Sequence, residues 1–211
     1  MPMDSSEWDA RYAATDLVWT ATPNRWVEAE LSDLPPGRAV DLACGEGRNA
    51  LWLAGRGWRV TAVDFSGVAL AKGRRAAQAA GDGRADRIDW IEADLLGYQP
   101  EPGSYDAVVI AYLQLPADER RVVIRRAATA LADGGVALVV AHDTANLAGG
   151  VGGPPDPAVL YTADDVRSDL TASGIPLRIE RAQQVLRPVE GEPRPAIDLL
   201  VRATRSSRAE R

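Results

Sequence analysis

The sequence predicts an α/β protein built on a doubly wound, mostly parallel sheet with helices over both faces. Three observations carry this. Short apolar runs alternate along the 211-residue chain with segments of helical spacing. Val40 to Asn49 joins one such run to a helix through a glycine turn, with Asp41 at its entrance. About twenty residues on, Trp58-Arg-Val-Thr-Ala-Val63 forms a second run that ends in Asp64, the spacing of a βαβ unit whose ligand sits at the carboxyl ends of its strands.

The elements follow in order. Asp4 to Ala14 has the character of a helix. Thr22, followed by Pro23 at a first helical position, opens a helix to Asp33, which Leu34-Pro-Pro-Gly37 stops. After the βαβ unit a helix runs from Ser66 to Ala80. Ile88 to Ala93 alternates as a strand before Asp94, and Tyr105 to Ala111 is a buried strand. Pro116 opens a helix to Ala132 on an apolar stripe of Val122, Val123, Ala127 and Leu131, ended by Asp133-Gly-Gly135. Val136 to Ala141 is another buried strand, and Thr162 begins a helix to Ser173. The last apolar stretches, Leu177 to Val185 and Ile197 to Ala203, form an antiparallel pair. The whole is expected as one domain over 1–205, with an N-terminal helical lid at 1–33, a core at 38–205 and a frayed tail at 206–211.

The glycine turn determines the ligand class. Gly45 and Gly47 permit backbone conformations and a ligand approach that a Cβ forbids, and the helix beginning near Arg48 offers free N–H groups. Gly45-Glu-Gly47-Arg-Asn-Ala50 also satisfies a loose dinucleotide fingerprint, so a nicotinamide oxidoreductase is the distant alternative. Charge opposes it. A pyrophosphate beside Asp41 and Glu46, with like charges about 5 Å apart at a dielectric near 20, is disfavoured by about 3 kcal/mol. S-adenosylmethionine brings a sulfonium and an ammonium against one carboxylate, and acidic residues then favour it.

The same residues carry a family resemblance. Asp41-Leu-Ala-Cys-Gly-Glu-Gly-Arg-Asn-Ala-Leu-Trp-Leu-Ala54, Gly57-Trp-Arg-Val-Thr-Ala-Val-Asp-Phe-Ser66 and Tyr105-Asp-Ala-Val-Val-Ile-Ala111 resemble class I S-adenosylmethionine-dependent methyltransferases, within them the tellurite-resistance and thiopurine-methyltransferase-like group. Trp8-Asp-Ala-Arg-Tyr12 and Leu160-Tyr-Thr162 extend the likeness. Ala43 stands where the family has its first glycine, a change expected to tighten the turn slightly. The resemblance implies a Rossmann-like seven-stranded sheet with one antiparallel strand near the C-terminus. It also implies methyl transfer from S-adenosylmethionine, with S-adenosylhomocysteine as product.

Site roles follow from the strand ends. Asp41, Ala43, Cys44, Gly45, Glu46, Gly47, Arg48 and Asn49 hold the donor. Asp64 is set for the ribose diol, with Phe65 on the adenine and Ser66 beside it; the plainer alternative is that Asp64 caps the following helix. Ala93, Asp94 and Leu95 are set for the adenine edge, against a reading of Asp94 as a turn residue. Ala111, Tyr112 and Leu113 lie where donor meets acceptor. Trp8 and Tyr12, one helical turn apart, with Trp19 and Trp26, are expected to cover the sulfonium or simply to pack. His142 and Tyr112 are the candidate catalytic side chains, His142 as a general base for a hydroxyl or amine acceptor or else as a satisfied structural group. A thiolate, selenide or reduced tellurium acceptor needs no base. The glycine- and proline-rich segment 146–161 is expected as a substrate-side lid with Tyr161 at its hinge, or as a surface loop.

Composition narrows the partners. A net charge of −6 gives no electrostatic footprint for nucleic acid, and no run approaches transmembrane length. One cysteine and one histidine exclude an internal disulfide and argue against a metal site, and Cys44 is taken as a small residue filling the turn. The expected partner is a small-molecule methyl acceptor, without nucleic acid or membrane. The protein is expected in the cytoplasm as a monomer or homodimer, and three readings stay open: a sulfur, selenium or tellurium methyltransferase, a biosynthetic O- or N-methyltransferase, and a dinucleotide-binding oxidoreductase or a cofactor-binding module without catalysis.

Overall fold

The structure is a computed structural model, which describes residues 4–15 and 22–207. Seven strands form one sheet in the order β3-β2-β1-β4-β5-β7-β6. They are β1 (Arg38–Leu42), β2 (Arg59–Asp64), β3 (Ile88–Glu92), β4 (Tyr105–Ala111), β5 (Leu131–His142), β6 (Leu177–Arg187) and β7 (Ala196–Arg205). β1 to β5 pair in parallel, while β7 runs antiparallel to both β5 and β6. The strand order reverses between β1 and β4, so the connections leaving the carboxyl ends of these two strands run to opposite faces of the sheet, the place where a crevice forms in such sheets.

Helices cover both faces: α1 (Ser5–Ala13), α2 (Arg25–Leu31), α3 (Arg48–Gly55), α4 (Gly67–Ala80), α5 (Ala117–Ala130), the short α6 (Asn146–Gly149) and α7 (Ala163–Thr171). Strand alternation sorts the core. Val40, Leu42, Val108, Ile110 and Val139 bury toward α5 and α7, while Ala39, Ala107, Val109, Leu138 and Val140 bury toward α2, α3 and α4. Both faces are sealed, which is why the central strands read as unbroken apolar runs.

Several boundaries differ from the sequence expectation for identifiable reasons. The cap of α2 is Asn24, whose side-chain oxygen accepts from the N–H groups of Trp26 and Val27, so Thr22 and Pro23 precede the helix. α5 ends at Ala130 because Leu131 is already extended and paired with Tyr105. Its buried face includes Arg120, whereas Val122 is exposed. Segment 146–161 contains α6 and a 3₁₀ turn at Pro157–Val159. Among the described residues no helix is long and apolar enough to cross a membrane. Trp19 and residues 208–211 lie outside the described residues.

Candidate active site

The turn after β1 is built from three left-handed residues, Ala43, Gly45 and Gly47, at φ of 61°, 56° and 76°. Ala43 therefore keeps the conformation a glycine would adopt rather than tightening the turn, at a strain of about 1–2 kcal/mol. Asp64, at the end of β2, clamps this turn. Its Oδ2 accepts the Gly45 N–H at 2.7 Å and its Oδ1 the Ser66 N–H at 2.9 Å. Burial raises the Asp64 carboxyl, with the N–H groups of Ser66, Gly45 and Phe65 drawing it back down.

Asp41 is different. It is 0% exposed, and neither carboxylate oxygen has a hydrogen-bond partner. Burial pushes it up to about 7, against the smaller pull of the nearby Ala50 N–H, which does not reach hydrogen-bond geometry, and of the Arg48 charge. A buried carboxylate with no partner is costly, so this one is poised for a cation. Glu46, also read from sequence as an acidic contact, is instead neutralised by Lys72, the sole lysine of the chain, at 3.0 Å. The cation preference of the crevice thus rests on Asp41. Burial holds the Cys44 thiol protonated, in keeping with a space-filling residue.

Other expected positions take structural duties. The Asn49 side-chain oxygen accepts the Asn24 N–H at 2.9 Å, tying α2 to α3. Ser66 is fully buried; its hydroxyl donates to Asp9 and accepts from the Ala69 N–H, so it caps α4 and anchors α1. Asp94 is exposed and closes a turn, accepting the Leu96 N–H, while Leu95 beside it is buried and Ala93 pairs with Asp64 through the backbone. Phe65 and Ala111 are half-buried. Trp8 and Tyr12 stack with centroids 5.5 Å apart; Tyr12 is buried, and Arg11 lies over the Trp8 ring.

A second cluster gathers residues from β4, β5 and the closing hairpin. Tyr112, at a φ of 61°, follows β4 and donates its hydroxyl to Asp198 Oδ2 at 2.8 Å. Burial and the neighbouring Asp198 carboxylate push this phenol well up, so it acts as a donor and is not the base. His142 stands opposite Asp198 in the β5–β7 register, its Nδ1 3.3 Å from Asp198 Oδ1. Its ring centroid is 5.0 Å from that of Tyr112, and Gly153 packs so closely that a Cβ there would lie 2.9 Å from the ring. Arg187 Nε donates to Asp198 Oδ2 at 2.8 Å. Burial alone would raise Asp198, but His142, Arg187 and Tyr112 together hold it below the usual carboxylate range. Tyr161 is buried and donates to the Leu113 carbonyl, linking the end of segment 146–161 to the loop after β4.

Sequence reasoning named Tyr112 and His142 and did not name Asp198 and Arg187, which the structure brings together with them. The signal was available: Asp198 is a lone carboxylate inside the apolar run Ala196-Ile-Asp-Leu-Leu-Val201, where burial requires partners.

Residues 39–135, from β1 into β5, match the family described as the methyltransferase domain. This segment is similar to methyltransferase domains. The demethylmenaquinone methyltransferase of Clavibacter sepedonicus is 35% identical over 97 residues, covering 46% of this chain and 36% of that protein. The chain spans about a third of the length of the first curated relatives it matches. Among solved structures, one concerned with conversion of a disulfide bond into a thioacetal group during echinomycin biosynthesis is 25% identical at a TM-score of 0.72, covering 97% of this chain and 93% of that one. The N-methyltransferase NodS of Bradyrhizobium japonicum, in complex with S-adenosylhomocysteine, is 20% identical at a TM-score of 0.72, covering 96% and 99%. The matched segment thus sits in a sheet whose seven-stranded architecture these structures share.

Proposed function

We propose that the protein transfers the methyl group of S-adenosylmethionine to a small-molecule nucleophile. The observation that carries this is Asp41, fully buried at the crevice with both oxygens unpartnered. A cationic amino-acid group satisfies it, whereas a dinucleotide would set its pyrophosphate against it. Bound there, the cofactor supplies an activated methyl group to an in-line nucleophile and leaves as S-adenosylhomocysteine. Asp64 takes the ribose diol with the lone pairs its backbone bonds leave free, and Phe65, Asp94 and Leu95 border the adenine. Helices α1 and α2 and segment 146–161 close over the two reactants, excluding water and holding them aligned; such alignment accounts for several kcal/mol of barrier, up to about 7–11.

A second reading, with a sulfur, selenium or tellurium acceptor, is supported by the sequence likeness to the tellurite-resistance group and by the similar structure from sulfur chemistry in echinomycin biosynthesis. The two readings separate in one assay. Adenosylhomocysteine release is measured from the purified protein with adenosylmethionine and a panel of thiols, selenite, tellurite, phenols and amines, for wild type and His142→Ala. Turnover on phenols or amines that the substitution removes supports base-assisted transfer; turnover on chalcogens that survives it supports the second reading. Calorimetry of adenosylmethionine binding at pH 8 accompanies the assay. Asp41→Asn is expected to weaken binding by about 1.5–3 kcal/mol, roughly tenfold or more. Equal affinity in the two proteins would overturn the assignment of the donor site.

A further inference from the structure

The closing hairpin does more than complete the sheet. β7 carries Asp198 into the acceptor end of the crevice at 0% exposure, and three groups from three other strands converge on it: Tyr112 after β4, His142 at the end of β5 and Arg187 at the end of β6. We infer that Asp198 is the positioning residue of a His142 base, and that the acceptor is a hydroxyl or amine that must lose a proton as it is methylated. This rests on the methyl-transfer reading above.

Geometry gives each partner a task. Arg187 and Tyr112 both engage Oδ2, which leaves Oδ1 to face His142 Nδ1. Arg187 keeps Asp198 ionised, and an ionised carboxylate only accepts, so the facing imidazole nitrogen carries the proton. Nδ1 and Oδ1 are both buried and face each other at 3.3 Å outside hydrogen-bond alignment, with no other hydrogen-bond partner for either among the described residues, and the His142 side chain as a whole is 13% exposed. With Nδ1 protonated, Nε2 holds the free lone pair. Gly153 on one flank and the Tyr112 ring on another prevent the imidazole from turning over.

The proton balance then closes within these residues. As the acceptor oxygen or nitrogen forms its bond to the methyl carbon, its own O–H or N–H bond breaks toward His142 Nε2. The electron pair of the broken S–CH₃ bond stays on sulfur, and Asp198 stabilises the imidazolium until it loses its proton to solvent. A pre-formed anion such as a thiolate would have no proton for this machinery to accept. It would also approach a site already holding one buried carboxylate.

Because His142 is the only histidine of the chain, its imidazole nitrogens give one unobstructed set of signals. The test is long-range ¹H–¹⁵N correlation of the full-length protein with S-adenosylhomocysteine bound, in alkaline buffer, with His142→Gln as assignment control. The expected result is a proton on Nδ1, the tautomer a free imidazole disfavours, and its loss in Asp198→Asn. A wild-type ring protonated on Nε2 would overturn the inference even where Asp198→Asn fails to fold. In the acceptor panel, His142→Gln is expected to lower turnover on phenols or amines by about 10²–10⁴-fold. Undiminished turnover in His142→Gln would overturn the inference and leave methyl transfer standing. Absence of adenosylmethionine binding would instead remove the methyl-transfer reading, whatever the tautomer.

Discussion

Ala43 shows how the cofactor turn tolerates a departure from glycine. Its φ of 61° falls in the left-handed region, where a Cβ crowds the following carbonyl at a cost of about 1–2 kcal/mol. The neighbouring backbone enforces it: the Cys44 N–H donates to the Val63 carbonyl, and Asp64 holds the Gly45 N–H. Ala43→Gly removes the strain but returns freedom to the unfolded chain, worth about 0.4–1 kcal/mol. The net expectation is a gain of up to about 1 kcal/mol in urea unfolding with donor affinity unchanged. A loss of stability would show that the alanine methyl is packed to advantage. Tyr112, at the same φ, is the other non-glycine residue at positive φ among the described residues, and it belongs to the Asp198 cluster; strain of this kind is commonly retained at functional sites. Neither conformation was legible in the sequence, because φ at a non-glycine residue depends on what the surrounding chain enforces.

Element by element, legibility followed burial. β1, β2 and β4 were readable because both faces are covered and their residues form unbroken apolar runs. The ends of α2 and α5 were misplaced because Asn24 competes with Thr22 as a cap and Leu131 is claimed by β5. The Asp198 cluster was hidden because its members are spread over four strands and meet only through the β5–β7 register. α1 illustrates the same dependence on tertiary contacts. At nine residues it is too short to be stable alone, and it is held by Asp9, which accepts from the Ser66 hydroxyl and the Val68 N–H. Asp9→Ala is expected to cost about 1–3 kcal/mol and to expose residues 4–15 to proteolysis before the core. Cleavage no faster than in wild type would mean that the aromatic packing of Trp8 and Tyr12, rather than Asp9, docks the helix.

Across the whole molecule the acids displaced from the ordinary carboxylate range fall into two groups of opposite sign, and of these only Asp198, Asp41 and Asp64 are buried. Asp198, Glu180 and Asp165 are held low by their partners, so the stability they contribute is present above the unfolded carboxylate range and is lost as pH falls through their folded values. Asp41 and Asp64 are raised by burial, so their contribution is full below the unfolded value of 3.8 and is lost as pH rises, for Asp41 through about 7. The unliganded protein therefore carries a deficit at neutral pH at the place proposed for the donor. A cation seated against Asp41 favours its ionised form, so binding below about pH 7 must expel a proton, and affinity falls by up to about tenfold per pH unit on the acid side. Calorimetry of adenosylmethionine binding from pH 5 to pH 8, in buffers of different ionisation enthalpy, is expected to show proton release that fades toward pH 8. The same release should be absent in Asp41→Asn, which should also lose less stability than wild type as pH rises. Proton release that persists unchanged in Asp41→Asn would move the linkage to Asp64, the other acid that burial raises at this turn.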